Sequence, residues 1–534
     1  MRTALVTLVS LLALAAPAGA APAQPAPVAG EALFVVSGRG YGHGVGMSQY
    51  GALGMARAGF PHEEILAYYY PGTELRRVPG RSVRVLVAEG RPALSISSPA
   101  PFSAVDGAGA VFRFPAGPLV LRPDLVLPTE AGPVAALAPL LFRPGRSPLA
   151  LDGRSYRGRL EVAQQGVFLR AVNVVSLEAY LQGVVPAEMP FTWPAEALEA
   201  QAVAARSYAL ANLLQGKPFD LYADVRSQAY LGLAGERAET TAAVRATAGQ
   251  VVVYGDAVAS TLYHASSGGR TASAADVFGV SVPYLVSRPD PWDKGSPYFR
   301  WGPLLVGART LEAKLELGAR VLDAVGVPTR SGRLRALQLE TSAGATTVPS
   351  GLLRTALGLR STWVTIAVLR LDRPRGPVLF GSRLELTGIA RGVSSAVLSS
   401  SPDGVEWTAV GPLVPDADGR VALRLTASAS ARYRIESATA VSPALLVRVA
   451  PRVRLLPPSD PGALAGTVRP RLAGAPVVLE RRDAAGWAVV ADALVGDDGA
   501  FRAAFPVAPG SYRARVAPWD GFAEGVTPVL TVAP

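Results

Sequence analysis

Two prolines bracket one glutamate between two stretches with helical spacing, and this arrangement constrains the fold more than any other sequence feature. Glu188 lies between Pro186 and Pro190. A proline biases the residue before it to extended conformations, so the sequence predicts a helix that ends near Gly183, then a stiffened turn that carries the glutamate. A longer, alanine-rich helix is predicted to begin around Pro194.

The residues around Glu188 predict an unusual carboxylate. Met189, Phe191 and Trp193 are apolar, and apolar neighbours remove water from a carboxylate and raise its pKa. A glutamic acid that keeps its proton near neutral pH can donate it to a leaving oxygen. We therefore identify Glu188 as the candidate catalytic residue. On residue type alone, the alternative is a solvated carboxylate near a helix N-terminus.

The same stretch resembles the signature of the SpoIID/LytB family of cell-wall proteins. The E-M-P tripeptide occupies residues 188–190, and the pattern continues at 196–198, 201–202 and 205–208. In that family the glutamate of the tripeptide is the catalytic acid of lytic transglycosylases that act on peptidoglycan. The resemblance implies this role for Glu188.

A glycine-rich segment, GRGYGHGVGMSQYGALGMARAG, runs from Gly38 to Gly59. Six glycines fall between Gly38 and Gly51, so the backbone must turn tightly or approach another surface closely. The segment is not a nucleotide loop, because its glycines miss the G-x-G-x-x-G register and no Gly-Lys-Ser/Thr follows. Its polar side chains are candidates for substrate binding: His43, Ser48, Gln49 and Tyr50.

Residues 42–52, GHGVGMSQYGA, are similar to a second SpoIID/LytB motif. In the family this motif usually follows the E-M-P region, whereas here it precedes it. We interpret the order as a circular permutation, which requires the glycine-rich segment to lie beside Glu188 in space. The alternative is a displaced copy without function.

A third segment of the family pattern, YHASSGGRT, occupies residues 263–271. Such a loop can present N–H groups and hydroxyls to a sugar or an anion. An ordinary Ser/Gly turn is the alternative. The candidate substrate-binding residues here are His264, Ser266, Ser267 and Gly268.

The residue counts narrow the chemistry further. The chain has no cysteine and three histidines, which excludes disulfides, thiolate nucleophiles and Cys-ligated zinc. Some members of the family carry a His-plus-Cys metal site, which this chain cannot form. We predict no metal and no cofactor, with His43 and His264 as hydrogen-bonding or structural residues. Ser48 lies in G-M-S-Q-Y rather than G-x-S-x-G, so serine hydrolase chemistry is weakly indicated.

A net charge of +11, carried almost wholly by arginine, favours anionic partners. Nucleic acid is not predicted, because the chain lacks basic runs interleaved with aromatics, zinc-finger spacing and RNA-binding signatures. We expect it to bind peptidoglycan glycan strands or an anionic surface polymer. The alternative is that arginine simply replaces lysine throughout the chain.

The N-terminal sequence predicts export. Residues 1–20 combine Arg2, an apolar run and a small-residue ending, which is typical of a signal peptide. Residues 21–30 form a Pro/Ala linker. No other apolar run is long enough to span a bilayer. We therefore expect a protein without a transmembrane anchor after signal cleavage that is secreted, periplasmic or associated with the cell wall.

The chain is long enough for several domains. The fold class that we predict is an α+β catalytic core of mixed helices and sheets, followed by two small all-β sandwich-like modules. The core covers residues 31–375, divided into a permuted segment over 31–79 and a remainder over 82–375. The modules cover residues 376–450 and 451–534.

An internal repeat supports the two modules. Trp407 and Trp487 are each followed by an Asp-Gly turn, a Tyr-Arg pair and a closing Val-Ala-Pro. A single tryptophan in each unit is typical of the core of a small sandwich, so we predict core positions for both rather than sugar-binding platforms.

The sequence as a whole predicts a secreted peptidoglycan lytic transglycosylase that cleaves the β-1,4 bond between N-acetylmuramic acid and N-acetylglucosamine. We also expect Arg206 to contact substrate carboxylates or amides; its alternative is a solvated guanidinium on the outer face of the long helix. Two other function classes stay open. One is a non-catalytic wall-binding protein that stimulates a cell-wall amidase, since members of the family have been described as amidase enhancers, and the other is a surface adhesin.

Overall fold

A computed structural model describes residues 31–374 and 377–533. The expected signal peptide and linker, residues 1–30, lie outside the described residues, as do Arg375 and Gly376 at the expected domain boundary. Over the described ranges the chain combines helices with many β-sheets. The prediction of an α+β protein with β-rich regions is confirmed.

The helices are far fewer than the strands. In chain order the α-helices of the described ranges are α1 (Gln49–Arg57), α2 (His62–Tyr69), α3 (Leu177–Glu188), α4 (Ala195–Ala211), α5 (Ala238–Ala246), α6 (Ala274–Phe278), α7 (Ala308–Lys314) and α8 (Ser350–Leu357). Two 3-10 helices cover Gly232–Gly235 and Pro291–Gly295.

Helix α3 continues through the predicted break. It passes Gly183 and Pro186 and ends at Glu188 itself, so the prediction of a helix end near Gly183 is wrong. A proline inside a helix removes one hydrogen bond, but burial of the neighbouring side chains outweighs this cost. A Cβ on Gly183 would lie 2.7 Å from the Tyr230 ring, so the glycine serves close packing here. The fully buried neighbours are Leu181, Val184 and Val185.

A β-rich region precedes α3 and packs its apolar side chains against that helix. Its last strand leads directly into α3, where the Ser176 hydroxyl accepts a hydrogen bond from the Ala179 N–H at 3.3 Å. The seven-stranded sheet has the order Leu221–Tyr222, Ser82–Arg91, Phe168–Ser176, Arg159–Gln165, Leu140–Arg143, Phe102–Val105, Val111–Phe114. A four-stranded sheet has the order Arg154–Tyr156, Leu149–Leu151, Leu94–Ser98, Gly117–Leu121, and Val126–Thr129 pairs with Gly132–Ala135.

Short strand pairs join the N-terminal segment to the chain beyond α5. Met47–Ser48, in the glycine-rich segment, pairs in parallel with Tyr263–His264 of the third motif. Glu74–Arg77 pairs with Gln250–Tyr254, which also pairs with Ala257–Val258. The glycine-rich segment and the third motif are therefore neighbours in the fold.

A five-stranded antiparallel sheet forms the wall between the core and the C-terminal region. Its order is Trp301–Gly307, Leu33–Gly38, Val364–Leu371, Arg383–Arg391, Arg420–Thr426. One face packs on α7, α8 and a sheet of Val321–Pro328, Leu334–Thr341 and Gly344–Pro349. The other face packs on a sheet of Thr408–Pro412, Val397–Ser401, Ala431–Glu436 and Leu445–Val447. Strand pairing thus continues across residue 375.

The C-terminal unit repeats the strand order of the unit before it and has its own apolar core. One sheet has the order Arg452–Leu455, Ala463–Arg469, Ala500–Ala504; the other has Gly486–Leu494, Pro476–Asp483, Gly510–Val516, Gly525–Val526, with Leu530–Val532 also on Gly510–Val516. Val378–Leu379 pairs with Val449–Ala450 between the units. By this repeated order, the first strand of the earlier unit is Val364–Leu371, upstream of residue 376.

The two repeat tryptophans are not core residues, contrary to the prediction. Each is half-buried and lies under a guanidinium: Arg434 stands 3.9 Å from the Trp407 ring centroid, and Arg513 stands 4.3 Å from that of Trp487. In the second unit the tyrosine next to this arginine, Tyr512, is fully buried. Neighbouring residues of a strand point to opposite faces, so the Tyr-Arg pair divides its roles between core and surface.

Within the described ranges, none of the helices combines the length and the apolar character that crossing a bilayer requires.

We predict that truncation after residue 450 preserves the core, whereas truncation after residue 375 destabilises it. The shorter chain loses Arg383–Arg391 and Arg420–Thr426 and exposes the buried Leu369 and Leu371, at about 1.5–3 kcal/mol for each leucine. Thermal unfolding followed by circular dichroism measures this. Equal midpoints for the two truncated chains would contradict the shared sheet.

Candidate functional site

Glu188 is the last residue of α3 and is only 5% exposed. Its Oε1 accepts a hydrogen bond from the Ala229 N–H at 3.4 Å, and the Tyr263 hydroxyl bonds to the same carboxyl. Burial raises the pKa of Glu188 to about 7, against the smaller opposing effects of these two donors. The direction agrees with the sequence-based expectation. Near neutral pH, Glu188 is therefore protonated in a large fraction of the protein molecules.

A line of polar groups orients the carboxyl. The Tyr180 hydroxyl donates to Gln228 Oε1 at 3.2 Å, and Gln228 Nε2 donates to the Tyr263 hydroxyl at 3.1 Å. Gln228 Nε2 also donates to the Ala205 carbonyl at 3.2 Å. The Tyr263 oxygen accepts from Gln228, which leaves its own proton for Glu188. The carboxyl is therefore held by donors that are themselves fixed.

The glycine-rich segment reaches the same point. Gln49 is 2% exposed, and its Nε2 donates to the Glu188 main-chain carbonyl at 3.1 Å. The same amide nitrogen lies 3.5 Å from Gln201 Oε1 on α4. Gln49 of the glycine-rich segment and Tyr263 of the third motif thus both contact Glu188, which is the proximity that the permutation interpretation requires.

The hydroxyls expected to face a sugar point inward to a buried carboxylate instead. Asp293 Oδ1 accepts from Ser48 Oγ at 3.0 Å, and its Oδ2 accepts from Ser266 Oγ at 2.8 Å and from the Gly268 N–H at 2.7 Å. The Ser267 N–H donates to Ser48 Oγ at 3.2 Å. Ser48, Ser266, Ser267 and Gly268 are all buried. They join the two segments to each other and are not placed to contact a substrate.

A second buried aspartate lies next to this cluster. Tyr69 donates its hydroxyl proton to Asp290 Oδ1 at 3.0 Å. Burial, followed by the charge of the nearby Asp293, raises the pKa of Asp290 to about 7. A Cβ on Gly51 would lie 1.9 Å from the Tyr69 hydroxyl and 2.7 Å from Asp290 Oδ2. This glycine therefore allows α1 to approach the pair closely.

The two motif histidines are buried and contact each other, with ring centroids 5.6 Å apart. His43 Nδ1 accepts from the Val45 N–H at 3.0 Å, and His264 Nδ1 lies 3.1 Å from the Val45 carbonyl, to which it donates. Burial, followed by the charge of Arg333, lowers the pKa of His43 to about 3; burial also lowers the pKa of His264 well below its ordinary value. Both rings are neutral, and both form hydrogen bonds with the Val45 main chain.

Arg206 is fully buried, which corrects both the expected substrate contact and its solvated alternative. Nε and Nη2 donate to the two carboxylate oxygens of Glu178 at 2.9 and 2.7 Å. The remaining N–H groups point to the Val244 carbonyl, the Gln250 carbonyl and the Thr247 hydroxyl. An arginine has five N–H donors, and all are used within the fold.

Tyr50 is half-buried and keeps part of its ring at the surface. Its ring centroid lies 5.0 Å from that of Trp193 and 5.9 Å from that of Tyr298, which in turn lies 5.0 Å from Tyr41. We call Trp193, Tyr50, Tyr298 and Tyr41 the aromatic row. Tyr50 directly follows Gln49, whose side chain bonds to the Glu188 main chain. Of the predicted substrate-binding residues, Tyr50 is therefore the best placed to meet a ligand.

A separate group could hold a cation. His62 Nδ1 lies 3.3 Å from a Glu63 oxygen, 3.2 Å from a Glu196 oxygen and 3.1 Å from a Glu199 oxygen. Glu63 and Glu196 lie in the first turns of α2 and α4, where the helix dipole also favours carboxylates. The absence of a metal stays a prediction for this chain.

The sequence interpretation missed Tyr263, Gln228, Asp290 and Asp293. Tyr263 had a usable signal, because it opens the YHASSGGRT motif. The other three had none, since their contacts join segments that are distant in the sequence and meet only in the folded chain.

Residues 166–254, which include Glu188 and span α3 to α5, match the family model SpoIID, Stage II sporulation protein. The resemblance expected from the motifs is confirmed by this match and by named relatives. An uncharacterized protein of Brachyspira hyodysenteriae is 41% identical over 25% of this chain and 38% of its own length.

Two relatives from Bacillus subtilis carry functional names. An amidase enhancer is 33% identical over 31% of this chain and 23% of its own length. A stage II sporulation protein D is 28% identical over 36% of this chain and 60% of its own length. The chain thus spans less than two thirds of each of these relatives.

We predict that Glu188→Gln stabilises the fold at alkaline pH. The pKa is 4.5 for an ordinary glutamate and about 7 in the folded protein, so the folded state binds the proton more tightly than the unfolded state. The free energy of unfolding of the wild type therefore falls as pH rises from about 4.5 to 7. The Glu188→Gln protein does not lose this stability, because an amide does not titrate. Urea unfolding at pH 8 should show a gain of roughly 3 kcal/mol, with little difference at pH 4.

Glu340→Gln serves as the matched control for this change, since Glu340 is exposed. A Glu188→Gln protein whose stability changes with pH as the wild type does would show that the carboxyl is not desolvated.

Proposed function

We propose that this chain is a peptidoglycan lytic transglycosylase that acts at the cell wall on the β-1,4 bond between N-acetylmuramic acid and N-acetylglucosamine. One observation carries the proposal: Glu188, inside the segment that matches the SpoIID family, is buried and its pKa is raised to about 7. The relatives named for sporulation and amidase enhancement support a role connected with the cell wall. We place its action outside the cytoplasm.

In the first step, protonated Glu188 donates its proton to the glycosidic oxygen. The bond between this oxygen and C1 of the muramic acid breaks as positive charge develops at C1. A proton donor matched to neutral pH is effective here, because it is both present in its acid form and acidic enough to transfer the proton. The Tyr263 hydroxyl and the Ala229 N–H stabilise the carboxylate that forms.

In the second step, the Glu188 carboxylate takes the proton of the C6 hydroxyl on the same sugar. The C6 oxygen bonds to C1 and gives a 1,6-anhydro end, and Glu188 returns to its acid form. The substrate supplies the nucleophile, so the reaction needs neither a second carboxylate nor an added water. This separates it from the two-carboxylate hydrolysis of most glycosidases.

The aromatic row is the part of this surface suited to sugar binding. Its four members are half-buried and form a continuous series of ring contacts from Trp193 to Tyr41. Aromatic rings combine an apolar face with a rigid shape, and clefts that bind ligands use such faces together with a few polar groups. We propose that the glycan strand lies along this row, with the scissile bond at Glu188.

The second candidate function is a non-catalytic wall-binding protein that stimulates a cell-wall amidase. The observation in its favour is the 33% identity to a protein named amidase enhancer. This function would use the aromatic row to bind glycan but would not need a proton on Glu188. The two candidates therefore differ in what happens when Glu188 is replaced.

We expect the purified chain to produce 1,6-anhydro ends in peptidoglycan glycan, and Glu188→Gln to lower their rate of formation by at least about 100-fold. Mass spectrometry of glycan with and without stem peptides detects the ends, and Glu340→Gln is the control. Reducing ends would indicate a hydrolase and contradict the C6 attack. Unchanged glycan that still binds the chain would favour the amidase enhancer.

We expect activity to decline as pH rises through about 7, because the reaction starts from the protonated acid. Tyr263→Phe removes a donor that lowers the pKa of Glu188, so the alkaline limb should move to higher pH. Initial rates of anhydro-end formation from pH 5 to 9 measure the alkaline limb of the wild type and that of Tyr263→Phe. A Tyr263→Phe limb that moves to lower pH would contradict the assigned hydrogen bond.

A further inference from the structure

A cavity of about 870 Å³ lies between the glycine-rich segment, α6 and α8. Tyr41 and His43 contribute from the glycine-rich segment, Phe278 from α6, and Ser350 and Gly351 from the start of α8. Glu188 is not among its lining residues. The Glu188 carboxyl therefore lies outside the cavity, which shares Tyr41 with the far end of the aromatic row.

The lining of this cavity is strongly basic. Four arginines line it, and Asp276 is the one acidic residue among the lining residues. Asp276 already accepts a hydrogen bond from the Ser331 N–H at 2.9 Å. The guanidinium groups belong to Arg333, Arg335, Arg354 and Arg360. Over the described ranges, no ion pair within 4.0 Å joins any of these four arginines to a carboxylate.

Arg333 supplies the observation that points to a ligand. It is 1% exposed, and its Nη2 donates to the Ser267 carbonyl at 3.2 Å. Its Nε and Nη1 have no hydrogen-bond partner among the described residues. Buried donors are almost always paired in folded proteins, because an unpaired one loses its water without compensation. Two such donors on one guanidinium indicate a missing acceptor.

The GHG part of the glycine-rich motif packs against this guanidinium. A Cβ on Gly44 would lie 2.0 Å from Arg333 Nη2, so any side chain there would displace the arginine. Gly44 also has a φ of +82°, a region that favours glycine. The absence of a side chain at Gly44 therefore leaves the space that the Arg333 guanidinium occupies beside the cavity.

The field at this place is positive. Burial and the charge of Arg354 lower the pKa of Arg333 to about 10, against a smaller opposing effect of Asp293. After burial, Arg333 and Arg354 are the groups that lower the pKa of His43. Like charges that are close and partly buried repel each other unless an anion lies between them.

The N-terminus of α8 faces the same cavity. Ser350 and Gly351 line it, and the capping position, Pro349, has no side-chain hydrogen bond to the first N–H groups. The first N–H groups of a helix and its dipole both attract anions. This contribution adds to that of the arginines.

We propose that this cavity binds an oxyanion, a carboxylate or phosphate group, between Arg333, Arg354, Arg360 and the N-terminus of α8. The volume exceeds that of a single anion, so the oxyanion is one end of a larger ligand. Carboxylates occur on peptides and phosphates on anionic polymers, and guanidinium groups recognise both through paired N–H donors. The proposal does not depend on the role of Glu188.

Isothermal titration of the full chain with inorganic phosphate, and separately with N-acetylglutamate, at constant ionic strength tests the site. We expect saturable binding of at least one probe, weakened tenfold or more by Arg354→Gln. Arg383→Gln removes the same charge from an exposed position on the five-stranded sheet and should leave binding unchanged, as should Glu188→Gln. Arg360→Gln is the second variant if Arg354→Gln lowers the thermal midpoint.

Tighter binding of phosphate would identify a phosphate-bearing ligand, and tighter binding of N-acetylglutamate would identify a carboxylate ligand; both support the site. The absence of saturable binding for both probes would overturn it. Equal weakening by Arg354→Gln and Arg383→Gln would also overturn it, because binding would then reflect net charge alone.

Discussion

The hydrogen bonds of buried Arg206 hold together the elements that position Glu188. The guanidinium on α4 bonds to Glu178 in the first turn of α3, to Val244 in α5 and to the Gln250 carbonyl beyond it. A buried charge is stable only when its donors are paired, and removal of one partner typically costs about 3–5 kcal/mol. Glu178 and Glu188 lie at opposite ends of α3, so this bond fixes one end of the helix that carries the acid at the other.

Much of the site could be predicted because its signals are local. The E-M-P tripeptide located Glu188, its apolar neighbours gave the direction of the pKa change, and the displaced motif implied that the glycine-rich segment lies beside Glu188. The substrate contact expected of Gln49 was not predicted correctly, because this side chain is buried and bonds to the Glu188 main chain. The path of α3 could not be predicted from Pro186, since the burial of Leu181, Val184 and Val185 decides it. The direction of the Ser266 hydroxyl was equally hidden, because its acceptor, Asp293, belongs to a short 3-10 helix later in the chain.

The C-terminal units show a similar limit on what composition can reveal. The repeat of tryptophan, turn and Tyr-Arg pair was visible in the sequence, but its first strand, Val364–Leu371, reads as the end of the core. That strand pairs on one side with Leu33–Gly38 and on the other with Arg383–Arg391. Because this strand belongs to both the core and the first C-terminal unit, the amino-acid composition does not change at the point where that unit begins. The tryptophans were misplaced because the arginine that covers each one comes from a different strand.

The glycine-rich segment separates two environments that would interfere with each other. Gln49 contacts the main chain of Glu188, while His43 and Gly44 meet Arg333 in the basic cavity. A guanidinium close to Glu188 would stabilise its carboxylate and lower its pKa, but the causes that act on this pKa are burial and two neutral donors, with no cation among them. A short segment with little side-chain bulk thus contacts both the desolvated carboxyl-bearing end of α3, through Gln49, and the buried guanidinium of Arg333, through Gly44.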